Sequence, residues 1–191
     1  MIEAEQESRL PAPAGADRED STFAALVARR RVSLGFVCGG LALWFARPTW
    51  RSLALGGVVA LVGEGVRLWA AGHLEKGLEV TRSGPYRWVR HPLYLGSAIL
   101  AVGIAIAAAD PLVAGLVAVY IGVALTVAMR QEDAGLARRF GDQYRRYRDG
   151  SATDPARSFS LRRALSTNRE HRGFVGLAVA AGLLALKAWW R

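Results

Sequence analysis

The sequence predicts an all-α, polytopic membrane bundle of four to five spanning helices, with one amphipathic helix on the cytoplasmic side. Three observations predict it. Apolar residues make up 52% of the 191-residue chain. They gather in stretches close to the roughly 20 residues that cross a bilayer. The formal net charge of +9 gathers in the connections between those stretches. A chain of this length has room for one domain. So many apolar stretches leave too little polar surface for a soluble fold.

Residues 1–21 are rich in Pro, Ala, Glu and Arg without a period and read as a disordered tail. Residues 22–191 read as a single membrane domain. The apolar core of a cleaved signal peptide would lie nearer Met1, so none is expected. The first span, about 32–46, is short. Residues 23–28 lengthen it if Arg29, Arg30 and Arg31 snorkel to the headgroups. Cys38 within it is the sole cysteine, which excludes an internal disulfide and a cysteine metal cluster.

The second span, about 52–71, carries Glu64 and Arg67 three residues apart. That spacing puts them on one helix face, where they can neutralise each other. His73 beyond them reads as a solvated loop histidine. The third and fourth spans, about 93–109 and 112–129, meet at Asp110-Pro111, a tight turn between antiparallel helices. An amphipathic helix over about 131–148 follows, because Leu136, Phe140, Tyr144 and Tyr147 recur on one stripe. A last span covers about 173–190.

Basic residues cluster around 29–31, 76–90 and 130–172, and none lies at the Asp110-Pro111 turn. Under the positive-inside rule those three segments and the N-terminus face the cytoplasm. Arg47 and Arg51 fall on the opposite side. The basic surplus is what such loops require and makes anionic membrane lipid the expected partner. No basic and aromatic pattern points to nucleic acid. Oligomeric state is not readable, although Gly56-Gly57 permits close helix contact.

Two segments carry more chemistry than a membrane boundary needs. In GPYRWVRHPLYLG, residues 84–96, Gly84-Pro85 forms a turn and Pro92 suits the first position of the third span. His91 and Tyr94 then share a face at a helix N-terminus, whose free N–H groups, beside Arg87 and Arg90, suit an anion next to an aromatic wall. In RQEDAGLARRFGDQYRRY, residues 130–147, the adjacent acids Glu132 and Asp133 sit where the membrane surface is already negative. They want a cationic partner, either Arg130 or a ligand.

Together these segments resemble the isoprenylcysteine carboxyl methyltransferase family and the wider set of membrane phospholipid methyltransferases. The first segment matches a Gly-x-Tyr…Arg-His-Pro-x-Tyr signature, and Glu132-Asp133, Leu136, Phe140-Gly141 and Tyr144 match a Glu-Glu…Leu…Phe-Gly…Tyr signature, with Asp133 in place of the second Glu. The resemblance implies an S-adenosylmethionine-dependent methyltransferase in the inner membrane of a bacterial cell, with its site facing the cytoplasm. Carried over by position, it implies cofactor contacts from Tyr86, Arg90, His91, Pro92, Leu93, Tyr94, Glu132 and Asp133. A further strip at 78–81 adds Val80 and Thr81. Arg130 is the nearest candidate for an acceptor-facing arginine, and His91 for a base.

The charges of that cofactor suit the residues. Its carboxylate fits the helix N-terminus and Arg90, its ammonium fits Glu132, and its adenine fits a tyrosine-lined slot. The implied acceptor is lipid-like or prenylated and enters sideways between spans. Carboxyl O-methylation is favoured, and a carboxylate acceptor would need no base. An amine would give its proton to His91. Two other readings remain open. One is an NADPH-dependent membrane reductase of the sterol-reductase type, with Arg87 and Arg90 on a phosphate. The other is a non-catalytic lipid-binding membrane protein.

Overall fold

The computed structural model describes residues 33–150, 157–168 and 170–190. The expected N-terminal tail lies outside the described residues. The described residues are helical, with no strand among them. Apolar helices α1 (Ser33–Phe45), α2 (Trp50–His73), α3 (Pro92–Ala108), α4 (Pro111–Phe140) and α6 (His171–Trp189) form the bundle, and α5 (Asp142–Arg148) is a short polar helix. By length and composition α2, α4 and α6 are long and apolar enough to cross a membrane, while α1 and α3 are shorter.

The centre of the bundle is the α2–α3 pair, and small residues set its geometry. A Cβ added at Gly56 would lie 2.4 Å from the Gly103 carbonyl oxygen, and one at Gly63 would lie 2.5 Å from the Leu100 nitrogen. Backbone therefore meets backbone at both places, the arrangement that gives dispersion its best return where no hydrophobic effect drives association. Gly57, by contrast, has no neighbour within 4 Å.

One end of the bundle is closed by caps. Thr49 and Ser52 form a reciprocal capping box at the start of α2, and Ser52 Oγ also donates to Ala107 O at 3.0 Å. The α3–α4 hairpin turns through Ala109, at φ 50°, and Asp110 Oδ1 accepts from Leu112 N at 2.9 Å and Val113 N at 3.3 Å. Arg47 pairs with Asp110 at 3.5 Å, so this charge has a local partner at the hairpin end. Lys187 Nζ donates to the last carbonyls of α1, Leu43 O at 2.6 Å and Trp44 O at 2.7 Å. Trp44, Trp50, Trp189 and Trp190 stand exposed at this end, and Trp69 and Trp88, with rings 5.8 Å apart, stand at the other. Exposed tryptophans at both ends of an apolar bundle are what membrane interfaces favour.

Two expectations need correction. The fourth span and the amphipathic helix are not separate elements. Helix α4 runs unbroken for 30 residues, about 45 Å at 1.5 Å per residue, and projects well beyond a hydrocarbon core. At 129–131 the polarity changes but no residue breaks a helix. The break comes at Gly141, whose φ of 45° and ψ of −116° end α4 and start α5. His73 is also not solvated. It is buried as the last residue of α2, with Nδ1 3.1 Å from Ser83 Oγ. The positive φ of Gly84 lets the chain pass over that ring, where a Cβ would sit 2.5 Å from His73 Cδ2.

Candidate active site

At the end opposite the hairpin, the start of α3, the last turns of α4, α5 and the 74–87 connection surround one cavity. The connection is shaped by a 3₁₀ turn, Gly84–Arg87, with Pro85 near its start. It leads to His91, the N-cap of α3, and Pro92 fills the first helical position without losing a hydrogen bond. The backbone N–H groups of Tyr94 and Leu95 both reach His91 O, at 3.1 Å and 3.0 Å. This places the His91 ring beside that of Tyr94, with centroids 5.6 Å apart.

Helix α4 brings its acids to the same place. His91 Nε2 lies 3.0 Å from Asp133 Oδ1, and His91 Nδ1 lies 3.8 Å from Glu132 Oε2. Tyr144 of α5 donates to the same Asp133 oxygen, and Tyr147 Oη donates to Tyr86 O at 2.9 Å. Helix α5 is thus fastened to both α4 and the 3₁₀ turn. The His91 imidazole beside it outweighs burial and, with Tyr94, holds the Glu132 carboxyl below its ordinary value, so it stays ionised beyond the apolar part of α4. Burial pushes the Tyr86 and Tyr144 phenols well up, so both remain hydrogen-bond donors at neutral pH.

The cavity has a volume of about 670 Å³, within the range of small-molecule sites. Of the sequence-predicted residues, Val80, Thr81, Tyr86, Arg90, Leu93, Tyr94 and Glu132 line it. His91, Pro92 and Asp133 stand behind the lining, where they fix the corner that presents Tyr94 and Glu132. Arg130 is exposed and does not line the cavity. The reason is angular: two residues along a helix turn a side chain by about 200°, so Arg130 and Glu132 point to nearly opposite sides.

Other lining residues carry no motif. At the membrane-side end, Arg67 donates to Ser97 Oγ and, at 2.7 Å, to Glu170 Oε2, while its Nε lies 3.3 Å from Glu64 Oε2. The expected Glu64–Arg67 pair therefore exists as part of a larger cluster. Arg67 and Glu170 are 103 positions apart, so no spacing rule could have joined them. The only visible signal was an acid among arginines just ahead of the last span. Residues 157–168 clamp the outer wall. Arg157 meets Glu79 at 2.9 Å, Arg163 Nε donates to Glu75 at 2.7 Å, and Asn168 caps Ala71 O at 2.8 Å and Leu74 O at 3.1 Å.

A second, apolar groove of about 750 Å³ runs between α3 and α4, from Asp110 at the hairpin to Met129. Leu125 lines both the groove and the cavity.

A family model described as phospholipid methyltransferase matches residues 31–143. The nickel-cobalt-cadmium resistance protein NccN of Alcaligenes xylosoxydans xylosoxydans is 32% identical over 135 residues, which cover 65% of this chain and 60% of that protein. The chain thus spans under two thirds of that relative's length. No solved structure matches the chain.

Proposed function

The chain belongs to the phospholipid methyltransferase family, and from that premise we propose that it is an S-adenosylmethionine-dependent methyltransferase acting on a lipid-like or isoprenoid-linked acceptor at the cytoplasmic membrane face. The observation that carries this reading is that Tyr94 of α3 and Glu132 of α4 line one cavity of a size suited to a nucleoside and its amino-acid tail. When bound, S-adenosylmethionine supplies a methyl group whose bond to sulfur breaks with the electron pair kept by sulfur.

The residues present fit that group. Glu132, kept ionised, offers a carboxylate to an ammonium. Arg90 offers a guanidinium to a carboxylate at the start of α3. Tyr86, Val80 and Thr81, all buried, offer an apolar and aromatic wall to an adenine. His91 and Asp133 would act by holding Glu132 and α5 in place. Helix α5 and the 157–168 clamp would exclude water. Positioning of this kind can supply about 7–11 kcal/mol of a two-reactant barrier.

The apolar groove supports a lipid-like acceptor, since it is lined by the apolar residues of α3 and α4 and Leu125 joins it to the cavity. Carboxyl O-methylation needs no base and remains within the reading. For an amine or hydroxyl, the proton-accepting part given to His91 passes to a carboxylate that lines the cavity. The basic residues around the cavity end support a cytoplasmic site. The relative's name speaks of nickel, cobalt and cadmium; among the described residues no three His, Cys, Asp or Glu side chains gather to hold such an ion.

Calorimetric titration of the purified protein with S-adenosylmethionine and, separately, NADPH tests the reading. Saturable binding of the first alone is expected. Binding of NADPH alone would move the protein to the reductases. Methyl transfer confined to water-soluble acceptors would remove the lipid-like acceptor.

A further inference from the structure

Helix α2 ends beside the cavity, and the last carbonyls of a helix have no partner within it. A distant part of the chain returns to serve them. Ser160 N donates to Gly72 O at 3.1 Å, and Arg163 Nη1 donates to the same oxygen. Asn168 Nδ2 donates to Ala71 O and Leu74 O. The Phe159 ring lies against Gly72, leaving no room there for a Cβ, and its centroid is 6.1 Å from that of His73. Residues 157–168 are thus docked on the end of α2 as one strap. All of them lie beyond the stretch that the family model matches.

The strap also holds the loop that follows α2. Residues 75–81 turn back on themselves. Glu75 N donates to Thr81 Oγ1 at 3.2 Å, Leu78 N donates to Glu75 O at 3.3 Å, and Gly77 takes a φ of 75°. Leu78 at the tip is exposed, so packing does not hold the tip. The loop has two faces. Val80 and Thr81 are buried against the cavity. Glu75 and Glu79 meet the strap. Arg163 Nε donates to Glu75 Oε1 at 2.7 Å, and Arg157 Nη1 lies 2.9 Å from Glu79 Oε1 and 3.5 Å from Glu75 Oε1. These four side chains are between 19% and 29% exposed, so solvent screens them less than it screens an open surface pair. Arg163 is the centre of the arrangement. Its one guanidinium reaches the end of α2, the base of the loop and, at 3.3 Å, Ser158 O of the strap.

We propose that Arg163 is a positioning residue for the nucleoside half of the cofactor: through Glu75 it fixes the loop whose Val80 and Thr81 wall the nucleoside site, and Arg157 assists through Glu79. This rests on the methyltransferase reading above and deepens it, because it gives the chain beyond residue 143 a part in the site. Neither arginine lines the cavity, so both act through the loop. A loop fixed beforehand loses little freedom when a ligand arrives, whereas a loop released from the strap must be ordered by the ligand itself. The loss therefore falls on the part of the ligand that the loop touches. The amino-acid tail, assigned to Glu132 and Arg90, stands on α4 and the start of α3, where His91 and Asp133 give separate support.

The test separates the two halves of the ligand with two probes, S-adenosylmethionine and 5′-methylthioadenosine. The second keeps the nucleoside and lacks the amino-acid tail. Both are titrated against the full-length protein in detergent. Arg163→Gln is expected to bind both probes about tenfold more weakly than wild type. Arg163→Lys keeps the charge toward Glu75 and is expected to recover roughly threefold of that loss for both. Glu132→Gln is expected to lose affinity for S-adenosylmethionine alone, which marks the other half of the site. Arg157→Gln leaves the α2 carbonyls served and is expected to weaken both probes about threefold, so it carries the test if Arg163→Gln does not fold. Affinities equal to wild type in both glutamine variants would overturn the proposal. So would a loss confined to S-adenosylmethionine, or a wild type that binds S-adenosylmethionine but not 5′-methylthioadenosine. Failure of the wild type to bind S-adenosylmethionine would instead remove the methyltransferase reading.

Discussion

His91 Nε2 lies 3.0 Å from Asp133 Oδ1, the same oxygen that receives the Tyr144 hydroxyl. One carboxylate thus joins the first residue before α3, the projecting part of α4, and α5. Removing it should loosen all three without touching the lining. Asp133→Ala is expected to weaken cofactor binding about tenfold, the order expected from hydrogen bonds to a charged group. Asp133→Asn keeps an acceptor for Tyr144 and should recover part of the loss. Titration calorimetry checks both, with circular dichroism to show that the helices persist. Equal affinity in wild type and Asp133→Ala would break the link between this junction and the cavity.

The α2–α3 pair makes a sharper stability prediction, because two adjacent glycines differ in surroundings. Gly56→Ala would place a methyl 2.4 Å from Gly103 O and 2.5 Å from the Ala107 nitrogen. Backbone lies on the far side, so the helices must move apart, at a cost of about 1–3 kcal/mol. Gly57→Ala meets nothing within 4 Å and should leave stability unchanged or slightly raised. Thermal unfolding in detergent should separate the two variants clearly. If they melt together, the close packing of α2 on α3 is not what holds the centre.

These contrasts show what the sequence could and could not convey. The spans were legible because apolarity is a property of a run of residues, and the start of α3 because Pro92 can begin a helix but not continue one. The continuation of α4 was hidden, since the change from Met129 to Arg130 alters polarity and leaves the helix intact. Arg130 is near Glu132 in sequence but not in space, since a helix puts residues two apart on different sides. His73 looked like a loop residue because nothing nearby in sequence announces Ser83 or Phe159 as its neighbours. Glu170 reaches the cavity only because the chain folds back from residue 157 onto the end of α2, a contact that no local pattern encodes.

The junction between α4 and α5 depends on one backbone conformation. Gly141 has φ 45° and ψ −116°, a region closed to residues with a Cβ, although space around it is open. Gly141→Ala therefore introduces strain without a clash, about 1–3 kcal/mol. The strain should be relieved by moving α5, which would break the Tyr147–Tyr86 and Tyr144–Asp133 bonds. The expected outcome is cofactor affinity lowered about tenfold, with the melting temperature of the bundle little changed. Faster proteolysis near 141–150 in the variant should accompany it. A fall in melting temperature without loss of affinity would place the strain in the bundle instead.

The last prediction concerns acid. The neighbouring His91 imidazole, then Tyr94, lowers the Glu132 carboxyl from its ordinary value of 4.5, against the opposing effect of burial. A carboxyl lowered by the fold contributes fully above its unfolded value and loses that contribution only as pH falls through its own lower value. If Glu132 holds the cofactor's ammonium, affinity should stay level from pH 7 to about pH 5, and the decline due to this group should fall below 4.5. His91→Ala removes the largest lowering cause, so the decline should begin at higher pH. Glu132→Gln should bind about tenfold more weakly at pH 7, consistent with loss of a charge-assisted contact, and should lack this acid limb. Titrations at several pH values on the three proteins distinguish the cases. An acid limb that stays in place when His91 is removed would show that the imidazole does not govern this carboxylate.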